Sequence, residues 1–492
     1  MSTVADTPVA APLAELTDHL EKQPDYSAAI ASLIQGHGAT FGGVWGSSCA
    51  LLLADLVRRV PGRVLAILAH PDHVDSLTAD FRLFSDASVE VFPPWESSGD
   101  EMSLSDEIHG ERLRLLKNLR ADKAAKLIVA GASALLQPVP TQAYLVERTR
   151  RIAVGESLNV PELCAWLVEN GFSATTAVRL PGEFSQRGGI LDLYAPDWEN
   201  PLRVELFDDQ VESIRSFEVA TQRSLGQQNE LDLSLIHPYR TDRGFLSEYL
   251  PADSWVVLIE PAEINEEVRF YLQRVERPQD FHEWDDVQQR LFQFPSITAS
   301  SIAGGSFEAT CELRIESVER FSGDIDKVRG ELDQAGEGQR VFLICPTPAE
   351  VDRYTELFAG TRLATEGRLR LLAGHLRSGF RLVSERLALV SSNELFHRSD
   401  IAVSNKRRLG RAIDSFLDLR EGDYVVHLGH GIGRFRGLKL METVCKPKSI
   451  SNSSSTAARK SSSPRPISNS SKNTSAAAKA ARRWAKSAAR RG

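Results

Sequence analysis

Between Phe41 and Val57 the chain reads FGGVWGSSCALLLADLV, a glycine-rich turn that runs into an apolar stretch. This is the outline of a phosphate-binding loop, in which backbone N–H groups cradle phosphate, a lysine reaches the β- and γ-phosphates and a hydroxyl holds Mg2+. Counted from Gly43, the pattern G-x-x-x-x-G-K-[ST] passes through Gly46 and places its last glycine on Ser48, its lysine on Cys49 and its hydroxyl on Ala50. Both chemical positions are lost, so no Mg-ATP hydrolysis is expected at this loop. A second defect agrees with the first: in VVLIEPAE only Glu260 stands where an Asp-Glu pair would hold Mg2+ and water. Two readings remain, a nucleotide-binding fold that has lost its nucleotide and a plain strand–turn–helix.

Other reactive residue types are scattered. His427 and His430 flank Leu-Gly with no cysteine or carboxylate at ligand spacing, so turn and strand histidines fit better than a metal site. Cys49, Cys164, Cys311, Cys345 and Cys445 form no CxxC and no paired spacing, which argues against zinc and against a disulfide framework. Glu183, Asp192, Asp208 and Asp209 are candidate carboxylates, and turn positions on a β-rich stretch account for them more simply. No Ser/His/Asp or Cys/His set stands out, so neither a catalytic residue nor a metal ligand is assigned. One stretch reads differently. In RVELF, strict alternation puts Val204 and Leu206 on one face and Arg203, Glu205 and Phe207 on the other. A phenylalanine beside an arginine on a polar face is either incidental, as lone exposed apolar residues often are, or an interface anchor.

These residues need elements to hold them. At 492 residues, with 42% hydrophobic and 25% charged content, the chain has room for several globular domains. Short apolar runs at Gly62–His70 and Ala125–Ser133 read as buried strands, with an amphipathic helix between them in SLSDEIHGERLRLLKNLRA. Strands alternating with helices predict a mostly parallel sheet over the first 140 or so residues. Leu180–Val219, rich in β-formers and punctuated by Pro-Gly, Gly-Gly and Asp-Asp, predicts an antiparallel meander. Ser254–Ile264 reads as a strand returning to the first layer, and Ala299–Gly305 as a loop. A second α/β unit follows, with QRVFLICPTPAEVDRYTELFAG as strand then helix and ERLALVSSNELF as strand then turn. After a charged linker, Arg420–Thr443 reads as two strands around a glycine-rich turn.

The net charge of −8 hides an asymmetry. From Val444 on there are 12 Lys or Arg, 13 serines and no Asp or Glu, leaving 46 basic against 66 acidic residues before it. An acidic body is a poor general polyanion binder, and the basic Ser/Ala-rich tail is expected to be disordered. No apolar run approaches a membrane span and MSTVADTPVAAPLAEL lacks the basic start of a signal peptide, so a cytoplasmic location with no membrane contact is expected.

Several segments together resemble one family. LPGEFSQRGGILDLYAPDWENPLRVELFDDQVESIRSFEVATQRSL is similar to the inserted β domain shared by bacterial transcription-repair coupling factors and the excision-repair subunit UvrB. VEVFPPWESSGDEMSLSDEIHGERLRLL resembles the first domain of the same proteins. EGDYVVHLGHGIGRFRGL resembles the start of the coupling factors' RNA polymerase-interacting domain, which UvrB lacks and which decides between the two relatives. The resemblance implies an α/β multidomain chain: a degenerate P-loop-like, UvrB-like α/β domain at 1–145, an inserted UvrA-binding β domain at 146–238, and a return to the first module at 239–315. A second small α/β domain at 335–402, the start of a truncated Tudor-like β barrel at 418–443 and the tail at 444–492 follow. In the family the insert docks UvrA through two arginines and a phenylalanine, which match Arg187, Arg203 and Phe207. The region of His430, Gly431, Gly433 and Arg434 corresponds to the polymerase-binding barrel, whose partner is the polymerase beta subunit.

The resemblance also sets expectations for what is missing. UvrB's damage-probing hairpin is not found between PPWESSGDEM and SDEIHG, so no grip on lesions is expected. The family's motor, which binds ATP and Mg and translocates on DNA, lies downstream of the barrel. No cofactor is therefore expected for this chain, and DNA contact only through that motor or weakly through the tail. Half the barrel is absent, and an open sheet edge works against polymerase binding. Without the family's C-terminal domain, Arg203 and Phe207 are expected to be constitutively exposed. Back-translated with chosen codons and read one base earlier, Ser461–Ser475 becomes IFVPASHLELVQKYV, the sequence with which the family's barrel continues. A frameshift near Val444 is the expectation that follows. The expected function is the N-terminal, non-catalytic part of a transcription-repair coupling factor, recruiting UvrA to stalled RNA polymerase. The alternatives are a nucleotide-dependent helicase-like enzyme and a free-standing polymerase-binding transcription regulator.

Overall fold

The computed structural model describes residues 11–95, 106–236, 242–397, 424–427 and 431–434, with positions 276, 303–306, 308, 319, 320 and 325 excepted. The chain divides into two units, Met1–Ser404 and Asn405–Gly492. Strands without polar alternation are covered on both faces, as the middle of a parallel sheet requires. Val64–Leu68, Leu127–Gly131 and Trp255–Ile259 are buried at every position. They belong to a seven-stranded sheet ordered Ala309–Glu312, Ala39–Gly42, Ser296–Ser300, Trp255–Ile259, Val64–Leu68, Leu127–Gly131, Val89–Phe92, with every pairing parallel. Alternate residues of one strand feed two cores. Val64, Ala66 and Leu68 pack with Leu53 and Leu56 of the helix Ser48–Arg59, whereas Leu65 and Ile67 pack with Leu113 and Leu116 of the helix Glu107–Arg120. The latter helix starts where Asp106 accepts hydrogen bonds from the amides of Ile108 (2.9 Å) and His109 (3.2 Å), an N-cap that satisfies two otherwise orphan donors.

The returning strand takes a central place, between Ser296–Ser300 and Val64–Leu68. Ser296–Ser300 itself corrects the loop expected from Ala299, since Ala299 and Ser300 pair with Phe41 and Gly42. Its small polar residues hide the strand from a hydrophobicity reading. They are accommodated because Thr298 donates to the Thr40 hydroxyl (3.1 Å) and Ser296 to the Phe294 carbonyl (2.9 Å). Positions 303–305 lie outside the described residues.

Between Thr149 and Ser234 the chain builds a separate sheet, ordered Ser224–Gln228, Gln210–Phe217, Leu202–Phe207, Ile190–Tyr194, Glu183–Arg187, Ser173–Ala174. From Glu183 onward successive strands pair antiparallel, the expected meander. Two of the connections are two-residue turns, Gly188-Gly189 and Asp208-Asp209, with φ of +57° at Gly188 and +55° at Asp208, the positive values that tight hairpins require. One face carries the register partners Leu191, Val204 and Ile214, buried with Leu163 and Leu167 of the helix Val160–Glu169.

A five-stranded sheet follows, ordered Ile315–Ser317, Phe380–Leu382, Leu387–Ser391, Arg340–Cys345, Leu369–Ala373, parallel among its last three strands and antiparallel elsewhere. The turn expected after Leu387–Ser391 is a one-turn helix, Ser392–Leu395, closed by a reciprocal cap between Ser391 and Glu394. In the other unit, Tyr424–His427 and Gly431–Arg434 form an antiparallel hairpin. The charged linker and the tail from Val444 lie outside the described residues. Among the described residues no helix is long and apolar enough to cross a membrane.

Candidate functional site

The loop between the strand Ala39–Gly42 and the helix Ser48–Arg59 has the course of a phosphate loop, with φ of +69° at Gly43 and +52° at Gly46. Several amides of the loop and of the helix start are already committed. Val44 donates to the Ser300 carbonyl (3.0 Å), Trp45 to the Ser48 hydroxyl (3.0 Å), Cys49 to the Gly46 carbonyl (3.2 Å) and Ala50 to the Ser47 carbonyl (3.1 Å). The space in front of the loop is filled by protein. Ser378 donates its amide to the Ser47 hydroxyl (2.9 Å), and its Cβ lies 3.1 Å from where a side chain at Gly46 would begin. On the other side the Leu313 carbonyl oxygen lies 2.2 Å from a Cβ built on Gly43, so only glycine fits there. Ser47, Ser48, Cys49 and Ala50 are all buried. Burial, and next the charge of Glu260, push the Cys49 thiol up to about 12. Glu260 is occupied in its turn, accepting the Ser301 amide at 2.7 Å.

The segment that fills the loop is tied down beside it. Asp80, 2% exposed, accepts the Arg377 amide (3.0 Å) and pairs with His375 Nδ1 (2.7 Å). The loop Gly43–Ser47 is thus met by Ser378, whose neighbours His375 and Arg377 are anchored on Asp80.

The outer face of the meander is built differently. Register places Arg187, Ile190, Glu205 and Ser213 side by side in one row, and Ser185, Asp192, Arg203 and Arg215 in the next. Phe207 ends its strand beyond the first row, 72% exposed, and the Gly188-Gly189 turn next to it offers no side chain to cover the ring. Arg187 is exposed, and Ile190 is 40% exposed. The three expected residues thus share one face, but not one state. Arg203 forms a two-pronged pair with Asp192, Nε to Oδ1 at 2.7 Å and Nη2 to Oδ2 at 2.9 Å, and its guanidinium lies 4.7 Å from the centre of the buried Phe217 ring. The hydrogen bond to Asp192 holds Arg203 protonated beyond its ordinary range. Glu205 is engaged by the Ser213 hydroxyl (2.6 Å) and by Arg215 (3.1 Å).

Two of the four candidate carboxylates are not turn residues. Glu183 and Asp192 lie within strands, where Glu183 accepts the amides of Arg179 (2.7 Å) and Leu180 (3.0 Å) and Asp192 serves Arg203. Asp208 and Asp209 do form a turn, with Asp209 accepting from Ser157 (2.8 Å). Sequence reasoning missed the pairing of Asp192 with Arg203. The signal for it was parity, since alternation in ILDLY sets Asp192 on the same face as Ile190 and Tyr194. Among the described residues no group of three or more His, Cys, Asp or Glu could hold a metal ion. Gly431, Gly433 and Arg434 lie on one strand of the hairpin, whereas His430 lies outside the described residues.

Two sequence families match the chain. Residues 151–239 match the UvrB interaction domain, which contains the whole outer face just described. Residues 419–455 match the CarD-like/TRCF RID domain, which contains the hairpin. The transcription-repair-coupling factor of Bacillus subtilis (strain 168) is 23% identical over 86% of this chain and 44% of its own length. The chain is similar to the transcription-repair-coupling factors. Those of Staphylococcus aureus (strain USA300) and Staphylococcus haemolyticus (strain JCSC1435) are each 24% identical over 80% of this chain. The chain spans less than half the length of the coupling factors it matches, 44% and 42% in these cases. In this chain the match to the UvrB interaction domain precedes the match to the RID domain.

Proposed function

We propose that this chain is a non-catalytic docking module of transcription-coupled repair, which presents a binding face for UvrA and carries a segment directed at RNA polymerase. The observation that carries the reading is Phe207, 72% exposed on the same sheet face as exposed Arg187 in the matched interaction domain. An aromatic and an arginine held proud of a rigid sheet are the residue types that dominate docking energetics. Arg203 belongs to the same face and contributes through its fixed guanidinium. The phosphate loop supports a role without nucleotide turnover, because the amides of Val44 and Trp45 are bonded within the protein and Ser378 sits against Gly46 and Ser47. In this reading the chain needs neither ATP nor Mg.

A second contact is favoured by the match of residues 419–455 to the RID domain. The hairpin Tyr424–Arg434 would be the first part of a Tudor-like barrel that meets the polymerase beta subunit. Titrating purified UvrA into the chain tests the main reading. Phe207→Ala and Arg187→Ala are each expected to weaken binding at least tenfold, and binding equal to wild type in both would reject it.

A further inference from the structure

Resting on the reading that the outer face docks UvrA, we propose that Asp192 is a positioning residue of that face, which fixes Arg203 in one direction and leaves Arg187 as the face's free positive charge. The guanidinium of Arg203 is held by three kinds of contact at once. Asp192 takes Nε and Nη2 in a fork, Gln222 Oε1 accepts from Nη2 at 3.4 Å, and Phe217 lies beneath the plane. Nη1 is the nitrogen with no hydrogen-bond partner among the described residues. The fork by which an arginine grips a carboxylate is thus spent inside the domain, and a docked partner meets Arg203 through one pre-aimed nitrogen.

The charges of the face support the same assignment. Asp192 balances Arg203 and Glu205 balances Arg215, whereas Arg187 forms no ion pair among the described residues. An arginine already ordered in the free protein loses little rotamer freedom on docking, which is where positioning by Asp192 adds affinity. It also explains why Asp192 tolerates 8% exposure, since a carboxylate that deep needs a fixed cation.

The test uses the full chain with purified UvrA and reads two quantities. In the free chain, nitrogen-15 NMR is expected to show the Arg203 Nε–H slowly exchanging, and exchanging freely in Asp192→Asn. In binding, Asp192→Asn is expected to weaken UvrA about tenfold, the size of a 1.4 kcal/mol interaction. Because Asp192 acts through Arg203, the same change in an Arg203→Ala background is expected to add nothing. Should Asp192→Asn fail to fold, Arg203→Lys keeps the charge without the fork and is expected to show the same tenfold loss. A wild-type Nε–H that exchanges like free arginine, or an Asp192→Asn effect that persists without Arg203, would overturn the assignment. Wild-type binding by Phe207→Ala and Arg187→Ala would overturn the docking reading itself, and the role of Asp192 with it.

Discussion

If the old phosphate loop is now a socket for residues 375–378, cutting the anchor beside it should open that segment and little else. Asp80→Ala is the sharpest cut. The carboxylate is 2% exposed and accepts both the Arg377 amide (3.0 Å) and the His375 ring (2.7 Å). Its removal strands one backbone donor and deletes a bond to a charged group, together about 1.5–3 kcal/mol. That corresponds to a roughly ten- to hundredfold larger opening constant. Whole-chain melting would blur this loss, since a chain of several units need not unfold in one step. Amide hydrogen exchange resolves it locally. The amides of Arg377 and Ser378 are expected to exchange ten- to hundredfold faster in Asp80→Ala, while those of Leu191 and Val204 in the meander keep their rates. Unchanged exchange at 377 and 378, or equal acceleration in the meander, would refute the socket.

Three further expectations follow from the same packing. A Cβ added at Gly110 would lie 2.1 Å from the Pro196 carbonyl oxygen, so Gly110→Ala must push the helix away from the inserted domain. Overpacking of this kind costs about 1–3 kcal/mol, and thermal unfolding at an unchanged midpoint would contradict it. His73 and His282 are held below the ordinary histidine range, mainly by burial. Unfolded histidines bind protons near pH 6.5, so stability from these two is complete above that value and falls as the pH drops through it. Ring-proton titrations with midpoints at or above 6.5 would be inconsistent with this. Cys49, Cys311 and Cys345 have thiols pushed up to about 12 by burial, so Cys164 is expected to react first of these four with a thiol reagent in the native chain. Mass spectrometry of labelled peptides would show the order, and early modification of Cys49 would contradict it.

Much of the scaffold was legible because its signals are local. Apolar runs bounded by turns gave the strands at Val64–Leu68, Leu127–Gly131 and Trp255–Ile259, and Gly-Gly and Asp-Asp gave the hairpins of the meander. Alternation alone placed Arg203 and Phe207 on one face. Ser296–Ser300 was not legible, since its polar residues are paid for by partners distant in sequence, such as Thr40. The same limit hid Asp192. Its parity could be read, but its meeting with Arg203 depends on register across the 195–201 connection. Nor could sequence reveal what fills the glycine loop, because Ser378 lies 331 positions from Ser47.

The docking claim stands or falls on Phe207. Equilibrium binding of purified UvrA to the wild-type chain and to Phe207→Ala, each with its melting curve, addresses it most directly. The side chain is 72% exposed, so its loss should leave the melting midpoint unchanged while weakening UvrA binding at least tenfold. Equal affinity of the two folded proteins would contradict the claim that this face is where UvrA docks.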